Sequence, residues 1–289
     1  MARILCQMNN NFMNYHVGII GWGVVGKGIQ KLLGSDVVTI YDVLSAPQFD
    51  KDTLSVCHMV AVCVPTNSKK GEFACDTGNI RDALNRLKYI EFKGIVLIKS
   101  AVPPGEIRKL LADYQELRLV VSPEYMGESK YFTPPWKYPD PTDMRGHIWQ
   151  VFGGLKRDTS VCVDIFKRKM GVDTVFIQTD IMTAALTKYM ENCFFATKVT
   201  FCNEWYDIAK LYGVDYNELR ECWLADPRIN RNHTLVFPEN RGYGGKCFPK
   251  DLRAIIADAI EQGYEPTLMK AVNETNEKIK QEAKDGLSA

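Results

Sequence analysis

Between His16 and about Thr179, short β-branched apolar runs alternate with stretches whose apolar residues recur every three or four positions. The runs are Val17–Ile20, Val37–Asp42, Met59–Val64, Ile95–Lys99, Leu119–Val121, Trp149–Phe152 and Thr174–Ile177. Between them, Val24–Leu33, Gly78–Tyr89, Gly105–Tyr114 and Lys156–Met170 carry the helical period. This rhythm predicts an α/β domain with a doubly wound parallel sheet. After Asp180 the strand pattern stops. A long helix is expected over 181–211, with Ala184, Ala185, Leu186, Tyr189, Met190, Cys193, Phe194 and Ala196 on more than one of its faces. Burial on both sides is expected for such a helix, which makes it a candidate homodimer interface as well as a core element. Gly213 ends it, and further helices are expected near Asn217–Leu224, Leu252–Gln262 and Pro266–Ala283. The division is therefore 1–15 as a flexible leader, 16–180 as the sheet domain and 181–289 as an all-helical central domain. The Pro-rich stretch Thr133–Pro141 reads as a loop.

Composition narrows the partners. Thirty-six Lys and Arg against 35 Asp and Glu leave a formal charge of +1, which offers no broad field for nucleic acid or an anionic membrane. Any anionic ligand must then be held by a local site. No apolar run approaches the ~18 residues of a transmembrane helix, and the start lacks the apolar core of a signal peptide, so a cytoplasmic protein is expected. Nine cysteines without a Cys-x-x-Cys pair argue for reduced thiols and against zinc, and no metal site is expected.

Gly21-Trp22-Gly23-Val24-Val25-Gly26 directly follows the first strand and opens a helix, the context in which a G-x-G-x-x-G motif holds a pyrophosphate. Asp42 closes the next strand 21 residues after Gly21, where a carboxylate accepts the adenosine ribose hydroxyls and repels a 2′-phosphate. NAD binding in a Rossmann-type domain is expected, with Gly21, Gly23, Val24, Val25, Gly26 and Asp42 as contacts. Later strand ends carry Val64-Pro65-Thr66-Asn67, Lys99-Ser100-Ala101-Val102-Pro103 and Ser122-Pro123-Glu124-Tyr125-Met126-Gly127-Glu128. Ligands of open α/β sheets bind at such carboxyl ends, which adds Thr66, Ser100 and Tyr125 to the candidates.

One cysteine differs from the others. Cys247 lies in Gly242-Tyr243-Gly244-Gly245-Lys246-Cys247-Phe248-Pro249-Lys250-Asp251, among glycines that admit a ligand and lysines able to stabilise a thiolate. Asp251 is placed to act as a base or a helix cap, and covalent catalysis at Cys247 is the chemistry this grouping suggests. Lys188 and Asn192, spaced i, i+4 in the long helix, share a face and are suited to binding an oxyanion.

Together these motifs resemble the UDP-glucose/GDP-mannose dehydrogenase family, over about Val17 to Ala283. The cysteine loop carries most of the resemblance, with Ser122-Pro123-Glu124, Lys188-x-x-x-Asn192, Asn203-Glu204 and Asp226-Pro227-Arg228-Ile229 in support. The resemblance implies oxidation of a nucleotide-sugar C6 alcohol to the uronic acid, using two NAD and a Cys247 thiohemiacetal and thioester. UDP-glucose is the family-level expectation; GDP-mannose and UDP-N-acetylmannosamine stay open. It also implies that Lys188 and Asp251 handle protons and water, with Glu124 a second base, and that Glu128 lies by the nicotinamide. Arg228 would reach a neighbouring subunit's substrate, while Glu124, Tyr125, Lys188, Asn192, Tyr243 and Gly244 line the sugar site. Two departures stand out: Ala101 replaces a hydroxyl residue of the family, and the second α/β domain with which relatives cover their substrate is not found in this sequence. A catalytically weak NAD-binding assembly module needing a partner chain is the alternative. A two-electron β-hydroxyacid dehydrogenase would leave the cysteine loop unexplained.

Overall fold

The computed structural model describes residues 14–46, 48–68, 74–126 and 143–287. Most of the expected leader, the Pro-rich stretch and Glu128 lie outside them. Tyr15, read in the sequence as leader, is buried and donates its hydroxyl to Asp164 at 2.7 Å.

Seven strands form one sheet: β1 Val17–Ile20, β2 Val37–Tyr41, β3 Met59–Val62, β4 Ile95–Ile98, β5 Arg118–Val121, β6 Trp149–Gly153 and β7 Val175–Thr179. Their spatial order is β2-β1-β3-β4-β5-β6-β7. Strands β1, β3 and β4 are buried at every position, which explains why they read as unbroken apolar runs rather than as alternating ones. One face packs against α3 (Gly78–Tyr89) and α4 (Pro104–Asp113), around Val60, Val62, Val96 and Ile98. The other packs against α1 (Val24–Leu33) and α5 (Lys156–Lys167), around Ile19, Ala61, Leu97 and Phe152. A five-residue helix, α2 (Lys51–Ser55), was not visible as a period because it is barely more than one turn.

The sheet departs from the expected parallel arrangement at one junction. Strands β2, β1, β3, β4 and β5 are mutually parallel, but β6 meets β5 antiparallel through Val121 and Gly153, and β7 then follows β6.

The helical half comprises α6 (Ile181–Leu211), α7 (Tyr216–Trp223), α8 (Phe248–Glu261) and α9 (Thr267–Leu287). Asp180 starts α6 by accepting from the Thr183 amide at 2.9 Å. Helix α8 begins four residues earlier than the apolar period suggested, because Pro249 sits in its first turn, where a missing amide hydrogen costs nothing. Asp251 is thus inside the helix rather than capping it. The two halves are tied by polar contacts: the Gly105 amide donates to Asp258 at 2.9 Å, and Arg108 donates to Gln262 at 2.9 Å.

Candidate active site

The glycine motif has the shape a dinucleotide requires. A side chain at Gly21 would meet the Cys63 carbonyl oxygen at 2.7 Å, and one at Gly26 would meet the Gly21 carbonyl oxygen at 2.1 Å, so strand and helix approach through these two positions. At Gly23, which precedes α1, nothing lies within 4 Å of a built Cβ. The helix end is therefore open to an anion. Val24 is exposed beside it. Asp42 is held by the Trp22 amide at 2.8 Å on one oxygen and by the Leu44 and Ser45 amides at 2.9 and 3.1 Å on the other. These donors, the Trp22 amide first, keep its carboxyl below the usual carboxylate range. The residues present fit NAD.

At the β3 and β4 ends, the Thr66 hydroxyl donates to the Ala101 carbonyl at 2.8 Å and the Ser100 hydroxyl donates to the Val64 carbonyl at 2.6 Å. Ser100 thus spends its proton on the loop itself.

A buried ion pair organises the β5 end. Lys99 and Glu124 have side chains 0% and 8% exposed and meet at 3.1 Å. The other Glu124 oxygen accepts from the Tyr125 and Met126 amides at 2.9 and 3.0 Å. Burial opposes ionisation of Glu124, but the charge of Lys99 and these amides outweigh it and hold the carboxyl below its ordinary value. Glu124 is held in a setting suited to accepting hydrogen bonds. His147 is buried, stacked on Trp149 with centroids 5.7 Å apart, and its Nδ1 is 3.8 Å from Glu124. Burial lowers its pKa, so the imidazole is neutral at pH 7. Neither Lys99 nor His147 was singled out from the sequence. The signal for Lys99 was an apolar strand running directly into a lysine.

The long helix supplies the next wall. Lys188 places its ammonium 4.8 Å from the Tyr125 ring centroid and 3.4 Å from Glu191. Asn192, one turn on, is buried and donates to Asp251 Oδ2 at 2.6 Å. The other Asp251 oxygen receives Lys250 at 2.5 Å, and the same ammonium lies 3.5 Å from the Thr66 hydroxyl. Lys250, expected to flank the thiol, joins the carboxylate on α8 to the end of β3. Cys247 is part-exposed and is the residue at which α8 begins, with no side-chain cap bond, and its carbonyl accepts from the Asp251 amide at 2.9 Å. The positive end of α8 favours negative charge there. The other described cysteines, except exposed Cys222, are buried, and burial pushes Cys63, Cys162 and Cys193 up to about 12.

Two asparagines shape the cysteine loop. Asn203 on α6 accepts from Arg241 Nε at 2.8 Å and from the Gly242 amide at 3.1 Å. Asn276 on α9 is fully buried and grips Tyr243 at both ends, accepting from its amide at 2.7 Å and donating to its carbonyl at 3.2 Å. Asn276 was missed, although a polar residue in the buried register Val272, Asn276, Ile279 was its signal. The expected sugar contact Tyr243 has its ring buried with Cys193, Leu252, Ile256 and Val272, whereas Gly244 is exposed. Arg228 is not drawn into this group: its side chain is 87% exposed and paired with Asp226 at 2.6 Å. No cluster of metal-ligating side chains occurs among the described residues.

Residues 182–278 match the model of the UDP-glucose/GDP-mannose dehydrogenase family, central domain. The Bacillus subtilis (strain 168) protein YtcA is 29% identical over 254 residues, covering 84% of this chain and 56% of its own length. A UDP-glucose 6-dehydrogenase of Rickettsia typhi is 30% identical over 204 residues, covering 68% of this chain and 44% of the relative. The structure of a UDP-glucose dehydrogenase from Pyrobaculum islandicum superposes with a TM-score of 0.75 at 23% identity, over 91% of this chain and 68% of that one, a likeness of fold. The chain spans about half the length of the curated relatives it matches. Carrying the central-domain signature behind a dinucleotide-type sheet, the chain belongs to the UDP-glucose/GDP-mannose dehydrogenase family.

Proposed function

We propose that this chain carries the catalytic centre of an NAD-dependent nucleotide-sugar dehydrogenase that takes a C6 alcohol to the carboxylate, with UDP-glucose as first candidate. The observation that carries the reading is the contact of Asn192 with Asp251 inside the helix that Cys247 begins. It links the helix face that carries Lys188 and Asn192 to the first turn of α8, where Asp251 follows Cys247. Gly21, Gly23, Val24, Val25, Gly26 and Asp42 would hold NAD, with Thr66 and Ser100 at the neighbouring strand ends. When bound, NAD supplies the hydride acceptor, and two molecules are used for each alcohol carried to the acid.

The chain's own groups account for the rest. As the alcohol is oxidised, its hydroxyl proton passes through the Lys188 and Asp251 side to solvent. Cys247 Sγ then adds to the aldehyde carbon, and Lys188 and Asn192 donate to the developing oxyanion. Loss of the second hydride leaves a thioester on Cys247. Water positioned by Asp251 attacks that carbonyl, the C–S bond breaks, and the thiol is regenerated with release of the carboxylate. Lys250 donates to the other oxygen of Asp251 and fixes the carboxylate's orientation.

The same reading includes a homodimer through α6. Leu186, Met190, Phe194, Phe201, Trp205, Ile208 and Leu211 form an exposed apolar stripe at spacings of three, four and seven. Burial on both sides is thus met within one chain only on the opposite face, and a second copy is the partner this stripe fits.

The test is NADH release with a panel of nucleotide sugars. Two NADH per sugar for the wild type, with the second lost in Cys247→Ser, is the expected outcome. One NADH per substrate in the wild type points to two-electron chemistry. The proposal is abandoned if no sugar reduces NAD and none binds.

A further inference from the structure

A second polar cluster lies next to His233, around Thr234, which accepts from Arg220. Arg220 of α7 is 4% exposed; its Nε donates to Thr234 at 2.8 Å and its Nη1 to Glu221 at 2.5 Å, while its buried Nη2 has no hydrogen-bond partner. Arg231 donates through Nη2 to both oxygens of the same Glu221, at 2.6 and 2.8 Å, and its buried Nε also has no hydrogen-bond partner. Lys198 of α6 reaches the Asn230 carbonyl, and its charge is felt at both Arg220 and His233. His233 stacks on Phe195 at 4.2 Å, and its buried Nδ1 is likewise without a hydrogen-bond partner. Two guanidiniums are thus matched by one carboxylate in contact with them, and Glu221 is itself 52% exposed.

Two guanidiniums that share one carboxylate oxygen form a fork whose natural occupant is a tetrahedral oxyanion with several acceptor atoms. A single carboxylate satisfies only part of it. Glu221 is half in solvent and on a flexible stem, so it can leave.

We propose that Arg220, Arg231 and Lys198 form a phosphoryl-binding site in which a phosphate or diphosphate displaces Glu221 and takes up the donors of Arg220 Nη2 and Arg231 Nε. His233 forms its wall toward the catalytic loop, 5.6 Å by ring centroids from Phe248, the residue after Cys247. A diphosphate held there lies beside the cysteine loop, so the diphosphate of a nucleotide sugar and a free inorganic diphosphate are its two sources. Phosphoryl recognition at this cluster does not depend on the dehydrogenase reading.

Calorimetry with inorganic pyrophosphate and with UDP tests the site on the full chain. The wild type is expected to bind both. Arg231→Gln, a part-exposed position with little risk to folding, weakens binding about tenfold or more, the effect of one charge-assisted contact. Glu221→Gln removes the competing carboxylate and tightens binding. UDP binding tighter than pyrophosphate identifies the nucleotide diphosphate as the source, and equal affinities identify the free diphosphate. No binding to the wild type, or affinities unmoved by both Arg231→Gln and Glu221→Gln, overturns the site. Pyrophosphate binding without NADH release leaves the site standing and removes the dehydrogenase reading; the reverse result removes the site alone.

Discussion

Lys99 and Glu124 show how a residue's neighbours set its chemistry. With the pair buried at the end of β4 and β5, Lys99→Met leaves an uncompensated carboxylate and is expected to cost about 3–5 kcal/mol, read from urea unfolding. The double change Lys99→Met with Glu124→Leu should recover most of that loss; a double variant no better than the single one refutes the pairing as the cause. His233 makes a pH prediction. Burial first, then Lys198, lowers its pKa from 6.5 to about 4, so the unfolded chain binds its proton more readily than the folded one. Stability is full above 6.5 and falls as pH drops towards 4. The loss is expected to reach about 3 kcal/mol at most, in phosphate-free buffer. His233→Phe keeps the stack on Phe195 and should flatten that part of the profile. Cys247 and Asp251 were legible from residue type and spacing alone. Lys99 and Asn276 were not, because their importance comes from what they touch across 25 and 33 positions of chain, Glu124 and Tyr243 respectively.

Among the elements, the cysteine loop is the one most dependent on its supports. Gly242 has φ +75°, and a Cβ there would lie 2.5 Å from Asn276 Oδ1. Gly242→Ala is therefore strained twice, by torsion and by contact, and should cost about 1–3 kcal/mol while lowering kcat more than it raises KM. An unchanged melting temperature and unchanged kinetics exclude that account. Helix α6 owes its start to Asp180, whose loss in Asp180→Ala should remove about 1 kcal/mol of stability without altering the oligomer. Most strand and helix bodies were legible in the apolar period. The ends were less so: the first turn of α8 contains Pro249, which period analysis cannot weigh, and α2 is too short to show a period at all.

For the whole molecule, the exposed stripe on α6 is the feature that a single chain leaves unfinished. Phe201→Glu combined with Met190→Lys is expected to shift light-scattering mass from dimer to monomer, and a dimer that survives both changes places the interface elsewhere. Among the described residues no helix is long and apolar enough to cross a membrane. The sequence by itself determined the α/β alternation, the glycine motif with Asp42, and the choice of Cys247 as candidate thiol, because each rests on local period, local torsion or residue chemistry. Only the tertiary structure decided that β6 runs against β5, that Lys250 bridges Asp251 and Thr66, that Glu124 meets buried Lys99, and that Arg220 and Arg231 meet over Glu221. These depend on which distant groups share a low-dielectric space, and the strength of a charge or a hydrogen bond is set by that space rather than by its neighbours along the chain.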